Sequence, residues 1–256
     1  MTRRGWLALL PGALAGCATL RATPPVTPLP SDEAFAWPSV LREAVDEQGR
    51  VDFRLLAGSR GALDIVVAGI ERTAPNNAPE RFPALADRLA FHINAYNALA
   101  MFNVVRSGIP TRLSLLDRVG FFKLTKVVVG GQAISLYDYE NDVIRPLGEE
   151  RIHFALNCMA VSCPRLPRTP FTAEGLDAQL DAAAREFFAD ARNMQVDGAA
   201  RVVRLSSIMD FYPEDFLRRA PSLVAYANRY RAEPAPVGYK VAFIPYDWTI
   251  NAQPRA

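Results

Sequence analysis

Phe91-His92-Ile93-Asn94-Ala95-Tyr96-Asn97-Ala98-Leu99 lies inside the longest helical pattern of the chain, which runs from Phe82 to Arg106 and meets its stop signals at Gly108 and Pro110. Apolar residues occupy nearly every face of this pattern, and a helix that is apolar all round is buried. Asn94 and Asn97 share one face; His92 and Tyr96 share another. An amide buried without partners costs about 1–3 kcal/mol, so these side chains need fixed ones. Two uses would supply them. They bridge to loop backbone, which the general behaviour of buried polar groups favours, or Asn94, Tyr96 and Asn97 line a binding site.

The flanking segments surround this helix with short elements. Ser39 to Val45 reads as a short helix, followed by a turn at Asp46-Glu47-Gln48-Gly49, and Leu63 to Arg72 reads as a helix. Two strand-like runs, Leu124 to Val129 and Gln132 to Leu136, meet across Gly130-Gly131, a hairpin signal. That glycine pair is no phosphate loop, because no Gly-Lys-Ser follows it. Ser135 is placed to cap a helix over residues 136–144. Arg151 to Asn157 alternates like a strand, and Thr172 to Ala189 is amphipathic with helical spacing. Arg201 to Leu205 and Tyr239 to Ile244 read as strands, Ser207 to Arg218 and Ser222 to Arg231 as helices. Helices and strands mix without a βαβ period. The expected fold is α+β, a single domain over residues 31–256 with a small, mostly antiparallel sheet packed against helices, one of them long and buried.

The N-terminus reads differently. Arg3 and Arg4 precede a brief apolar run, and small residues lead to Leu14-Ala15-Gly16-Cys17. This is the layout of a secretory signal over residues 1–16, too short to span a bilayer. Leu-Ala-Gly-Cys resembles the bacterial lipobox, which implies cleavage before Cys17 and a lipid on its sulfur. Residues 17–30 then form the lipidated cysteine and a proline-rich tether. The expected location is the periplasmic side of a bacterial cell envelope, and Ala18 after the cysteine favours the outer membrane. Arg3 and Arg4 account for the whole excess of positive charge. The remainder is neutral, which excludes an electrostatic footprint for nucleic acid and leaves the lipid on Cys17 as the contact with the membrane.

Chemistry concentrates in Arg151-Ile152-His153-Phe154-Ala155-Leu156-Asn157-Cys158, followed by Ser162-Cys163-Pro164. On a strand, His153 and Asn157 face the side opposite Ile152, Phe154 and Leu156. Imidazole, amide and thiol would converge at the strand end. A thiol becomes a useful nucleophile when its pKa is lowered or a base takes its proton. Cys158 and Cys163 are also free to bridge in an oxidising compartment. A zinc site from His153 and the two cysteines lacks a fourth ligand, so no metal and no cofactor is expected. The carboxylates of Asp210-Phe211-Tyr212-Pro213-Glu214-Asp215 read as a solvated helix end. Tyr246-Asp247-Trp248 reads as a packed corner.

The runs Asn94 to Leu99 and His153 to Cys158 with Ser162-Cys163-Pro164, together with Tyr246-Asp247-Trp248, resemble the family called domain of unknown function 547. Val51-Asp52-Phe53, Ser135-Leu136 with Glu140, and Tyr212 with Asp215-Phe216 agree more weakly. The resemblance extends from Ser39 to Asn251. His92 stands where the family usually has Trp, which points to His153 as the better catalytic candidate. The family carries no established activity, so the resemblance implies a class of protein and no reaction.

Two readings stay open. A non-catalytic binding or scaffold role is favoured on the general ground that a lone buried histidine is more often structural. The alternative is a thiol-dependent hydrolase or acyl transferase acting on a peptide or cell-wall substrate. In that case Cys158 or Cys163 is the nucleophile, His153 the base, Glu140 or an asparagine the group that orients it, and Asn94, Asn97 or Asn157 an oxyanion donor.

Overall fold

The computed structural model describes residues 18–23, 33–58 and 61–254. The segment read as a signal (1–16), Cys17, read as the lipidation site, and residues 24–30, read as tether, lie outside them. Residues 18–22, read as tether, lie against the domain. Lys126 N–H donates to Ala18 O at 2.8 Å, Leu20 N–H to Lys126 O at 2.7 Å, and Ala22 N–H to Glu71 Oε1 at 2.9 Å.

The fold is α+β. Helices α1 (Glu33–Ala44), α2 (Phe53–Gly58) and α3 (Gly61–Arg72) precede the long helix α4 (Leu85–Arg106). Pro83 just outside α4 and the carboxylate of Asp87, which accepts from Ala84 N–H at 2.9 Å, fix its start. From Leu89 to Val104 nearly every side chain of α4 is buried, as its all-round apolar pattern requires. α3 packs between α1 and α4.

After the short helix α5 (Leu115–Val119) and a π-helical turn at Gly120–Leu124 comes the hairpin of β1 (Lys126–Val129) and β2 (Gln132–Ser135). Gly130 and Gly131 both adopt positive φ (54° and 80°), the conformation a two-residue turn demands. Their N–H groups donate to Ile70 O and Glu71 O, which seats the hairpin on the end of α3. Ser135 caps α6 (Leu136–Asp138) by accepting from Asp138 N–H at 3.0 Å. A π-helical turn, Tyr139–Ile144, carries Glu140 onward.

Helix α7 (Leu176–Ala189) leads to β3 (Met194–Asp197) and β4 (Val202–Ser206). Short helices α8 (Ile208–Phe211), α9 (Pro213–Leu217) and α10 (Leu223–Ala227) precede β5 (Lys240–Ile244). β3 pairs antiparallel with β4, and β4 parallel with β5 in the register Val203 opposite Val241. The described strands thus form two small sheets rather than the single sheet expected.

The larger correction concerns Arg151 to Asn157. Glu150–Phe154 is a 3₁₀ turn, not a strand, and Ile152, His153 and Phe154 are all buried. Its side chains serve two cores. Ile152 belongs to the core built on α1, α3 and α4, and Phe154 to the one formed by α7, the three-stranded sheet and α8–α10. A residue sequence like this alternates because two cores compete for it. His153, between them, projects into the seam.

Candidate functional site

The seam holds a cavity of about 280 Å³. Most of its wall is apolar, from Leu115, Val119, Phe122, Leu156, Ile208, Phe211 and Trp248. Its inner polar groups include Tyr96, Glu140, His153, Cys158, Cys163, Tyr212 and Tyr246, and Arg118, Lys123 and Tyr137 also line it. A mainly apolar hollow with a few convergent titratable groups is the general form of a small-molecule site.

His153 is 3% exposed. Its Nε2–H donates to Asp215 Oδ2 at 2.8 Å, and its Nδ1 lies 4.0 Å from Glu140 Oε1. The Tyr212 ring stacks on the imidazole at 4.2 Å between centroids. Asp215 is buried and pinned in turn by Arg145 Nε at 2.7 Å and by Arg218. Burial alone would push the Asp215 carboxyl up. The hydrogen bonds from His153 and Arg145 outweigh it and hold the carboxyl well below the usual carboxylate range. The group that orients the imidazole by a hydrogen bond is therefore Asp215, neither Glu140 nor an asparagine. Asp215 had read as part of a solvated helix end.

Glu140 holds the opposite side of the ring. Tyr96 Oη donates to Glu140 Oε2 at 3.1 Å, and Tyr212 also faces this carboxylate. Burial first, and then the charge of Glu140, push both phenols up, so both remain protonated donors.

The two sulfurs stand 2.8 Å apart as free thiols. Three donors converge on Cys163 Sγ: the Cys158 thiol, Cys158 N–H at 3.1 Å and Tyr246 Oη–H at 3.1 Å. Burial opposes ionisation of Cys163, but these donors prevail and its pKa falls below the ordinary thiol value. The hydrogen bond to Cys163, with burial, pushes Cys158 up. Cys163 is accordingly the sulfur prepared to be a thiolate, and Cys158 its proton-bearing partner. Among the described residues no hydrogen bond joins His153 to either sulfur, so cysteine and histidine share one cavity without forming a contact pair. Tyr246, the group that does touch both sulfurs, had read as mere packing.

The asparagines do other work. Asn94 Oδ1 accepts from Trp37 Nε1–H and Phe171 N–H, and its Nδ2 donates to Phe171 O. Asn97 Nδ2 donates to Ala155 O at 3.0 Å, and its Oδ1 accepts from Asn157 N–H at 2.7 Å. Asn157 Nδ2 donates to Pro164 O, and its Oδ1 accepts from Met159 N–H. None of the three lines the cavity. Together Asn97 and Asn157 hold the loop from Ala155 to Pro164 in place, including Met159 at a φ of 68°, a left-handed conformation that a Met adopts only under constraint. The loop is closed from the other side by Val161 N–H to Thr249 O and Asn251 N–H to Met159 O. Asp247 accepts from Thr249 N–H and Oγ1–H, so its carboxylate is paired within the corner. Its N–H donates to Ser162 Oγ at 2.8 Å, which sets Tyr246 over the thiols.

His92 is apart from the cavity. Its Nδ1 meets Tyr139 Oη at 2.7 Å, and burial lowers its pKa to about 4. No group of three or more metal-ligating side chains occurs among the described residues.

No curated protein and no solved structure matches the chain. One family model does, over residues 83–188, a stretch that contains α4, the hairpin, Glu140, His153 and both site cysteines. Its description is Protein of unknown function, DUF547, and through this stretch the chain is similar to that family.

Proposed function

We propose that this protein is an envelope lipoprotein, anchored through Cys17, that transfers or hydrolyses an acyl group at Cys163. The observation that carries the chemistry is the convergence of three donors on one buried sulfur in a cavity that also takes an Asp215-oriented imidazole. The apolar wall favours an acyl chain over a carbohydrate.

The step balances as follows. The Cys163 thiolate attacks the acyl carbonyl, a C–S bond forms, and the electron pair moves to oxygen. Cys158 N–H and Tyr246 O–H, released from the sulfur, become donors to that oxyanion. The bond to the leaving group breaks, and the leaving group takes from His153 the proton that Cys163 gave up on forming the thiolate. Water or an acceptor nucleophile, deprotonated by His153, then attacks the thioester and frees the thiolate.

Turnover of p-nitrophenyl acyl esters tests this reading. The expected result is ester cleavage that rises with chain length and is lost in Cys163→Ser. Equal cleavage by wild type and Cys163→Ser would refute it.

One observation favours a second reading. Thiols 2.8 Å apart need little movement to bridge in an oxidising compartment. Bridged, Cys163 has no thiolate, and the cavity only binds. Intact mass of protein isolated under non-reducing conditions separates the two, since a bridge removes two hydrogens.

A further inference from the structure

The rim of the cavity carries features that the thiol chemistry leaves unused. α5 presents Leu115 and Leu116 to solvent at 70% and 82% exposure, and Val119 and Leu124 are exposed beyond them. Leu115 and Val119 form part of the cavity mouth itself. Isolated surface leucines need no explanation, but this group is clustered on one short helix and the turn that follows.

Positive charge lies among these side chains. The Arg118 guanidinium sits 4.6 Å over the Trp248 ring, and its Nε is buried without a hydrogen-bond partner among the described residues. Lys123 Nζ sits 4.3 Å over the Tyr137 ring. Neither cation is in an ion pair among the described residues. The nearby Asp117 is occupied by the cap of α5, where it accepts from Ser114 N–H at 3.0 Å.

The third feature is where the N-terminal segment runs. Ala18 and Leu20 hydrogen-bond across Lys126, two residues after Leu124. Cys17 directly precedes Ala18 in the sequence, so the proposed anchor is one residue from a segment paired with this edge.

We propose that Leu115, Leu116, Val119 and Leu124, with Arg118 and Lys123, dock on the surface of an anionic phospholipid bilayer and bring the mouth of the Cys163 cavity to the membrane. The apolar side chains enter the boundary between headgroups and acyl chains, and the cations meet lipid phosphates. The site is then presented to acyl groups carried in the membrane. The inference rests on the lipoprotein reading only for the side on which the anchor lies.

Flotation of the chain Ala18–Ala256, which keeps every described residue, with buffer-filled vesicles through a sucrose gradient tests the docking without the anchor. It should associate with phosphatidylethanolamine–phosphatidylglycerol vesicles and about tenfold more weakly with phosphatidylcholine vesicles or at high salt. The double variant L115E/L116E should lose about tenfold in association with an unchanged unfolding midpoint, since both side chains are solvent-exposed. Absence of flotation with the anionic vesicles, or flotation of the variant equal to the unmodified chain, would overturn the docking. The anchor is read separately, from the mass of the N-terminal peptide of the full chain expressed in a bacterium. A missing acyl group there overturns the lipoprotein reading and leaves the docking result intact.

Discussion

The Tyr246 hydroxyl stands 3.1 Å from Cys163 Sγ and 3.5 Å from Cys158 Sγ, so it favours the sulfur that already accepts a backbone N–H. A donor aimed at a thiolate favours the ionised form. Removing it in Tyr246→Phe should raise the Cys163 pKa, because a hydrogen bond that favours the ionised sulfur is lost. The pH dependence of alkylation by iodoacetamide, mapped to Cys163, measures this. An unchanged midpoint would show that Tyr246 does not serve the thiolate.

Asp215 should be worth more to the fold than an ordinary surface carboxylate. It accepts from His153, Arg145 and Arg218 while nearly buried. Asp215→Ala leaves Arg145 and His153 without their partner and should cost about 3 kcal/mol in urea unfolding. Because its pKa is lower in the fold than in the unfolded chain, the stability it provides is present above the ordinary carboxylate range and declines as pH falls. Asp215→Asn should therefore flatten the acid limb of the stability curve.

His92 acts in a higher pH window. Its folded pKa of about 4 lies below the ordinary 6.5, so the unfolded chain binds the proton first. Stability should fall by up to about 3 kcal/mol as pH drops from neutral toward 4. His92→Phe removes the proton acceptor, and unfolding curves of this variant should lose that part of the pH dependence.

Asn97 ties α4 to the loop that carries both thiols. Asn97→Ala strands the N–H of Asn157 and the carbonyl of Ala155 in the interior, at a cost of about 2 kcal/mol or more. Loosening the loop should also separate the sulfurs. In this variant Cys158 should react with a bulky thiol reagent faster than in wild type, and a rate equal to wild type would show the loop to be held elsewhere.

Much of the fold is legible in single residues of the sequence. The all-apolar pattern around Asn94 and Asn97 marks α4, because burial of a whole helix leaves no polar face to disguise it. Gly130-Gly131 and Ser135 mark the hairpin and its capped successor, because turn and cap chemistry are local. The segment at His153 misleads because its alternation of apolar residues comes from two cores rather than two sheet faces. The second core's sheet is hidden for a related reason: β4 and β5 pair in parallel across more than thirty residues, and nothing local announces such a contact.

The site divides in the same way. His153, Cys158, Cys163 and Tyr96 are identifiable from residue type and spacing and Glu140 from the family resemblance, and the structure places them around one cavity. Asp215 and Tyr246 are not, since each acts across 62 and 83 or more residues of chain. The one advance signal was their place in the runs Tyr212 with Asp215-Phe216 and Tyr246-Asp247-Trp248. The asparagines were conspicuous for burial, and burial turned out to serve backbone bridging.

The most direct test of the account is a trapped acyl-enzyme. Protein incubated with a long-chain p-nitrophenyl ester, quenched in acid and digested, should carry one acyl group on Cys163 as a hydroxylamine-sensitive thioester. The adduct should be absent from Cys163→Ser and should accumulate when His153→Ala slows its removal. Recovery of all the acyl label on Cys158, or of none on either sulfur while both remain free thiols, would contradict it.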